Sequence, residues 1–580
     1  MGCYTVGKSP KKTWRFQRHD PDHVDMLARS CGCHPIVAGI LINRGITDPK
    51  EAIDFLNPSL ANIRSPFLMK NMARAVERIV TAVEKQEKIL IFGDYDVDGV
   101  TGTTLLLEFL LTVGADVSFY LPDRFREGYG LNRDYILQRA VPDNVRLIIT
   151  VDCGISSVEA VRAANEHNID VIVTDHHEIP EVLPDAFAIL NPKQADCSFP
   201  FRMLAGVGVV FCLALALRKY LRDKGFWVNR SEPNLKNVCD LVALGTVADI
   251  VPILEENRIL VQAGLEILAS RIRPGLNALQ EVSGLSNVDL NTWDIAFKLA
   301  PRINAAGRLV NANVGVELLT ASNRGAALPV ARFLNDTNGR RQRIEKDTLD
   351  EAIRLIDSNP DLLRQRSLVL CGEGWNEGVI GIVASKLVGR YYRPVVLISV
   401  KNGAGKGSAR SILGFNLYEG LKECAEHLDR FGGHEAAAGL SLPSESISDF
   451  AGKFEHVVCA NTTEQDFIPK IEIDRMVRFD EIDTDLMNQI ERLAPFGAGN
   501  PEPFFAAEDV KIIGSSVVGG AHVRMKLQQG NSLSRSIQAI QFNGASMLPL
   551  PEKFERIAFN LRWNRWQNKK TLQMIIRETE

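Results

Sequence analysis

Three short runs constrain what this chain can fold into: Gly93-Asp94-Tyr95-Asp96-Val97-Asp98-Gly99, Val151-Asp152-Cys153-Gly154 and Thr174-Asp175-His176-His177. Each follows an apolar stretch, Ile89-Leu90-Ile91-Phe92, Leu147-Ile148-Ile149-Thr150-Val151 and Val171-Ile172-Val173. Such β-branched runs suit strands buried inside a parallel sheet. Between them, Thr101 to Val113 is rich in Leu and Ser156 to Asn165 is rich in Ala and Val, as helices would be. Strand, helix, strand at this spacing predicts βαβ units, whose functional residues gather beyond the carboxyl ends of the strands. All three runs fall there and supply carboxylates or imidazoles, a set suited to divalent metals.

Each run also admits a plainer reading. An Asp after a strand is often the cap of the next helix, and Asp152 alone fits that role equally well. Alternating Asp94, Asp96 and Asp98 before Gly99 resemble the start of a calcium loop. That loop needs Glu six residues after the Gly, where this chain has Leu105, and a helix rather than a strand before it. His176 and His177 fit a satisfied core pair. The three together are harder to explain by accident.

The chain, 580 residues long, exceeds one ordinary core, so three or four domains are expected. No apolar run is long enough to span a membrane, and the first eight residues lack a secretory core; a cytoplasmic protein without membrane attachment is expected. Ten Cys stand singly apart from Cys31 and Cys33, which have no second pair to complete a zinc site, so free thiols are expected. A net charge of -4 gives no global attraction to nucleic acid, and any such binding must come from local patches.

Residues 1–85 read as a mostly helical segment packed on a catalytic α/β domain at 86–325. Within that domain, Asp249 closes the apolar helix Asp240 to Asp249; an acid there is costly to bury without a partner, so it joins the candidate ligands, with capping as the alternative. A connecting helix is expected over 326–358, ended by Asn359-Pro360. A smaller α/β domain follows at 359–458. From about Val510, short strands with glycine turns predict a small antiparallel barrel within 465–580. Across 511–580, eleven Lys and Arg face four Asp and Glu, and Phe559, Trp563 and Trp566 lie among Arg562 and Arg565. That mixture suits single-stranded nucleic acid, and it equally describes a barrel core with a solvated face.

Asp and His are ligands for Mg²⁺ or Mn²⁺, and shared carboxylates can hold two ions about 3.5–4 Å apart, which favours phosphoester hydrolysis. Arg302-Ile303-Asn304-Ala305-Ala306-Gly307-Arg308, Gly407-Ser408-Ala409-Arg410-Ser411 and Gly432-Gly433-His434 offer guanidinium, hydroxyl, amide and imidazole groups to phosphates. Surface solvation or a turn is the alternative for each. Gly403-Ala404-Gly405-Lys406-Gly407-Ser408 is not a P-loop, because its spacing is wrong and Gly407 stands where Ser or Thr is required.

The three runs resemble the successive motifs of the DHH phosphoesterase superfamily, and Gly432-Gly433-His434 with Ala436-Ala437-Ala438-Gly439 resembles its associated substrate-binding domain. Their order, the Arg302 to Arg308 motif, the long helix and the barrel together resemble the bacterial RecJ family over about residues 35 to 570. That resemblance implies a multidomain α/β fold: a parallel-sheet DHH domain, a long helix, a DHH-associated domain and a C-terminal OB-fold. It implies 5′-to-3′ hydrolysis of single-stranded DNA to mononucleotides in repair and recombination, with Mg²⁺ or Mn²⁺.

Carried over by motif, Asp96, Asp98, Asp152, His176 and Asp249 would be metal ligands. Asp94 and His177 would be ligands or supports, with Asp96, Asp98, Asp152, His176 and His177 forming the catalytic set. Arg302, Asn304, Arg308, Ser408, Arg410, Gly433 and His434 would hold DNA. A monomer that works beside a single-strand-binding protein and a helicase is the expected setting. Phe92, four residues before Asp96, stands where the pyrophosphatase branch has His. Two other functions stay open: a phosphodiesterase acting on short oligonucleotides or cyclic dinucleotides, and an inactive DNA-binding scaffold.

Overall fold

The computed structural model describes residues 12–580 apart from 125, 287–288, 531–534 and 567–568. The chain divides into two compact units: residues 16–335 together with 473–580, and residues 336–472 with the stretch before Phe16.

The first unit is built on a five-stranded, wholly parallel sheet in the order Val117–Tyr120, Ile89–Gly93, Leu147–Val151, Asp170–Thr174, Ala188–Leu190. Its three central strands are the apolar runs read from the sequence. Helices Val97–Thr112 and Gly206–Asp223 pack against one face, and Val158–Glu166 against the other. Thirteen of the sixteen residues of Val97–Thr112 are buried, so this helix is a core element rather than a surface one. Its buried Thr101 and Thr104 hydroxyls donate to the carbonyls of Val97 and Val100, both at 2.8 Å, which removes the cost of burying them.

Residues 505–579 form a barrel closed by pairing of Phe505–Val518 with Lys553–Trp566. The expectation of short, antiparallel strands needs correction. Ser536–Gln541 pairs parallel with Lys569–Thr579, and the Phe505–Val518 and Lys553–Trp566 strands each run fourteen residues. The N-terminal segment also differs from expectation. It contains the strand Thr13–Phe16, and the helices Pro21–Cys31, Pro35–Asn43 and Pro49–Leu56 share their apolar core with the barrel instead of the catalytic sheet. Met69 and helix Met72–Glu84 pack into the catalytic core, with Leu60, Ile63 and Phe67 partly buried against it, so this later part of the segment does lie on the catalytic domain. The physical reason is that Ile36, Val37, Ile40 and Leu41 share one apolar cluster with Val477, Phe479 and Leu486, in the chain leading to the barrel, and with Phe505 of the barrel itself, segments over 400 residues apart.

A helix runs from Arg324 to Ser358, 35 residues, where the sequence predicts one over 326–358. In the second unit, Leu368–Glu373 pairs parallel with Val395–Lys401. Ala404–Arg410, Ala437–Pro443 and Arg430–His434 then add antiparallel strands. The segment rejected as a P-loop is half of a hairpin. Asn402 and Gly403 take φ of 52° and 79°, the left-handed pair that a two-residue hairpin turn needs.

No helix among the described residues is long and apolar enough to cross a membrane. Nine cysteines among the described residues are free thiols.

Candidate metal centre

The three runs converge because parallel strands release their chains on one edge of the sheet. Asp94 follows Ile89–Gly93, Asp152 follows Leu147–Val151, and Asp175, His176 and His177 follow Asp170–Thr174. Asp249 arrives separately, as the C-terminal cap residue of helix Cys239–Ala248. Nε2 of His176 lies 3.0 Å from Asp152 Oδ1, 3.5 Å from Asp249 Oδ2 and 3.9 Å from Asp98 Oδ2. Donor atoms of Asp94, Asp96 and Asp152 lie within 4.8 Å of one another, and so do those of Asp98, His176 and Asp249, and of Asp152, His176 and His177. Shared Asp152 and His176 link the three groups into one site.

The plainer readings separate here. Asp96 does cap helix Val97–Thr112, accepting from the amides of Asp98 at 2.9 Å and Gly99 at 3.2 Å. Asp152 caps nothing: the next helix starts at Val158, and Asp152 sits at φ 62°, a left-handed conformation that a non-glycine residue adopts at a cost of about 1 kcal/mol or more. The His pair is not a satisfied core pair. Asp94 Oδ1, Asp152 Oδ1 and His176 Nε2 are all buried without a hydrogen-bond partner. Two carboxylate oxygens and an imidazole nitrogen in one linked site, with His176 Nε2 3.0 Å from Asp152 Oδ1, fit divalent cations, which take carboxylate and imidazole ligands together.

The surroundings hold these groups in place. Asp98 accepts from the amides of Gly206 at 2.7 Å and Val207 at 2.8 Å. Residue 206 has to be glycine, since a Cβ there would stand 2.6 Å from Asp152 Oδ1. Burial first, then the Asp96 charge, pushes the Asp98 carboxyl up to about 7 against these two amides. Burial and Asp98 push Asp249 to about 9, while Asp94 and Asp152 are raised well above the usual carboxylate range, chiefly by burial. Burial, reinforced by His177, lowers His176 to about 3 and keeps it a neutral ligand. For His177, burial is outweighed by the Asp175 hydrogen bond, and the imidazole rises to about 9.

Two contributors have no role in the sequence reading. Asp175 stands inside the third run, yet its function is structural. Fully buried, it accepts from the amides of Ile155, His176 and His177 and from His177 Nδ1 at 2.7 Å. Its position directly after a strand is the signal that marks it. Tyr129 comes from a loop without periodicity; its hydroxyl donates to the Asp152 carbonyl at 3.2 Å and lies 3.2 Å from His177 Nδ1.

The predicted phosphate groups divide between the units. In the first, Asn304 Oδ1 accepts from the Val97 amide at 3.2 Å, which ties helix Ala300–Leu309 to the Asp94–Asp98 loop. A Cβ on Gly307 would lie 2.5 Å from the Tyr95 carbonyl, so the contact is tight. Arg302 reaches Asn335 Oδ1 at 3.1 Å and the Lys298 carbonyl, and Arg308 is near enough to Tyr95 to oppose the rise of its phenol pKa.

In the second unit, cross-strand register aligns Ser408, Gly439 and Gly432 in one row and Arg410, Ala437 and His434 in the next. Opposed residues share a face, so Ser408, Arg410 and His434 flank a floor of small residues. Arg410 NH1 donates to Ser408 Oγ at 3.1 Å. Gly433 has φ 147°, and a Cβ there would meet the Ala437 carbonyl at 2.3 Å.

In the barrel, Phe559 is fully buried core, and Arg562 is engaged by Glu502 through two hydrogen bonds of 2.6 Å. Trp563 is half-buried, with Lys570 Nζ 4.3 Å from its ring centroid. The side chains of Arg565 and Trp566 lie outside the described residues.

A parallel sheet that delivers buried carboxylates and imidazole to one edge, linked to a second α/β unit and an OB-type barrel, defines a DHH-type phosphoesterase. Residues 88–246 match the DHH family, N-terminal domain; residues 365–459 match the DHHA1 domain and residues 473–578 the RecJ OB domain. The single-stranded-DNA-specific exonuclease RecJ of Bacillus subtilis is 39% identical over 578 residues, 98% of this chain and 71% of that protein. The protein of the same name from Haemophilus influenzae is 36% identical over 95% of this chain and 97% of its own length. The crystal structure of RecJ in complex with Mn²⁺ from Thermus thermophilus superposes with a TM-score of 0.82 at 27% identity, covering 98% of this chain and 79% of that one. The chain belongs to the RecJ family.

Proposed function

We propose that this chain is an exonuclease that hydrolyses single-stranded DNA from the 5′ end to 5′-mononucleotides and acts in DNA repair and recombination. The observation that carries this reading is the set of buried, partnerless donor atoms on Asp94, Asp152 and His176, in a chain whose relatives are named single-stranded-DNA-specific exonucleases.

Asp94, Asp96, Asp98, Asp152, His176 and Asp249 would hold two Mn²⁺ or Mg²⁺ ions, which supply an activated water and charge stabilisation at the leaving oxygen when bound. His176 enters as the neutral imidazole that ligation requires. His177, held on Asp175, stands beside the site as a further ligand or a support for the metal-bound phosphate. Arg302, Asn304 and Arg308 bind the strand's backbone beside the metal loop, and Ser408, Arg410, Gly433 and His434 bind it on the second unit's sheet. Correspondingly, we assign 86–325 to catalysis, 326–358 to connection, 359–458 to substrate binding and 465–580 to nucleic-acid binding. We also assign the protein to the cytoplasm as a monomer, with a single-strand-binding protein and a helicase as partners.

The test is a time course with Mn²⁺ on 5′-blocked and 3′-blocked single strands and on blunt duplex. Mononucleotides should appear from single strands with a free 5′ end and not from duplex. Activity that persists after Asp98→Ala and Asp152→Ala overturns the assignment, and release that depends on a free 3′ end overturns the polarity.

A further inference from the structure

The segment Thr292–Leu309 runs through a short α-turn, a π-turn at Ile295–Leu299 and the helix Ala300–Leu309. The π-turn ends two residues before Pro301, whose ring nitrogen has no hydrogen to continue α-helical bonding. One face of the segment is buried through Ile295, Leu299, Ile303 and Ala306. The other face carries Trp293, 50% exposed, and Phe297, 65% exposed, with ring centroids 5.3 Å apart. Lys298 Nζ lies 5.3 Å from the Trp293 centroid and is paired with Asp294 Oδ1 at 3.0 Å. A lone exposed aromatic needs no explanation, but two adjacent rings with an ammonium beside them form a surface of defined chemistry.

The two ends of the segment say what that surface faces. At the C-terminal end, Asn304 and Gly307 contact the metal loop at Val97 and Tyr95. At the N-terminal end, the Thr292 hydroxyl donates to the Phe496 carbonyl, in the chain that leads into the barrel. Partly exposed positions 293, 297, 301, 302, 304 and 308 make one stripe between those ends. We propose that Trp293 and Phe297 form a base-stacking platform for single-stranded nucleic acid on its way to the metal site. This rests on the reading of the chain as a single-strand nuclease and adds to it a length-dependent binding site.

At ~1.5 Å per helical residue, Phe297 and Trp293 stand roughly 15 and 20 Å from Gly307. That is on the order of four to six nucleotides at the ~3.4 Å spacing of a stacked strand. Strands of about three nucleotides therefore fail to reach the platform, and strands of about twelve occupy it. Stacking on one aromatic contributes a factor of roughly 5 to 100 in affinity.

The experiment measures KM with Mn²⁺ for oligothymidylates of both lengths, comparing the wild type with Trp293→Ala/Phe297→Ala and with Trp293→Leu/Phe297→Leu. The Leu pair keeps apolar bulk and removes the rings. In the wild type KM falls as the strand lengthens, and in both variants most of that fall, roughly 5- to 100-fold, is lost. Trp293→Phe/Phe297→Tyr retains it. An unchanged length dependence in the Ala and Leu variants overturns the platform, as does an equal KM rise for both lengths, which marks a general disturbance. If the wild type cleaves neither strand, the nuclease reading itself has failed, which is a separate outcome.

Discussion

Arg258 is a buried cation whose hydrogen bonds go entirely to main-chain carbonyls, and its replacement gives the most quantitative test of how the first unit is held together. From helix Glu255–Ser270, it donates to the carbonyls of Phe55 at 2.9 Å, Leu493 at 2.9 Å, Pro495 at 3.4 Å, Arg492 at 3.0 Å and Ala494 at 2.7 Å. Its guanidinium carbon also lies 3.8 Å from the Phe55 ring centroid. The carbonyls at 492–495 follow helix Thr484–Glu491, where the dipole is negative. Asn500 Nδ2 also donates to Leu493 and Pro495. Arg258→Met therefore leaves the carbonyls of Phe55, Arg492 and Ala494 without this donor.

At about 1–2 kcal/mol each, those three carbonyls cost about 3–6 kcal/mol. Removing a charge buried without a carboxylate, whose pKa burial already lowers to about 9, offsets part of this. The expected net loss is about 2–4 kcal/mol, read from urea denaturation followed by circular dichroism. Asn500→Ala alone should cost about 1 kcal/mol, because Arg258 still serves both of its shared acceptors. The double variant should exceed the sum of the singles, since Leu493 and Pro495 then lose both donors. A loss below about 1 kcal/mol for Arg258→Met, or strict additivity, refutes the reasoning.

Three further outcomes are expected. The carboxyls of Asp98 and Asp249, raised to about 7 and about 9 from an ordinary 3.8, favour the protonated form, so the metal-free fold loses stability as pH climbs from about 4 through those values; bound Mn²⁺ replaces the protons, and the Mn²⁺-induced rise in melting temperature should be larger at pH 8 than at pH 6, with equal rises counting against the site. Gly307→Ala drives a Cβ to 2.5 Å from the Tyr95 carbonyl and should lower kcat roughly 10- to 100-fold by shifting the metal loop, with far-UV circular dichroism unchanged. Tyr129→Phe removes the hydroxyl that donates to the Asp152 carbonyl and should reduce Mn²⁺ affinity about 10-fold, measured by calorimetric titration.

Much of the centre is legible in the sequence because a parallel sheet converts chain order into geometry. Once Ile89–Gly93, Leu147–Val151 and Asp170–Thr174 are read as neighbouring strands, the residues just after each of them must lie on one edge. Asp94, Asp152 and His176 need no further information. Asp249 is partly legible, since an acid closing an apolar helix asks for a partner, yet nothing local says that the partner is His176. The aromatic tail shows the opposite limit. Phe559 and Trp563 look alike in a basic strand, and only barrel closure makes one core and leaves the other half-buried.

By itself the sequence determined the elements that local chemistry dictates: buried β-branched strands, a long helix of recurrent charge, and the acidic and imidazole groups at strand ends. Tertiary structure alone decided which distant surfaces meet. It placed the first helices in the core of the barrel, set the Gly206 and Val207 amides on Asp98, and brought Ser408, Arg410 and His434 onto one sheet face. The physical reason is that strand and helix signals repeat within a few residues, whereas apolar surfaces are interchangeable until packing selects among them. Hydrogen bonds to main-chain amides leave no trace in side-chain identity at the donor. Glycine at 206 is the exception, because close approach to Asp152 excludes any larger residue.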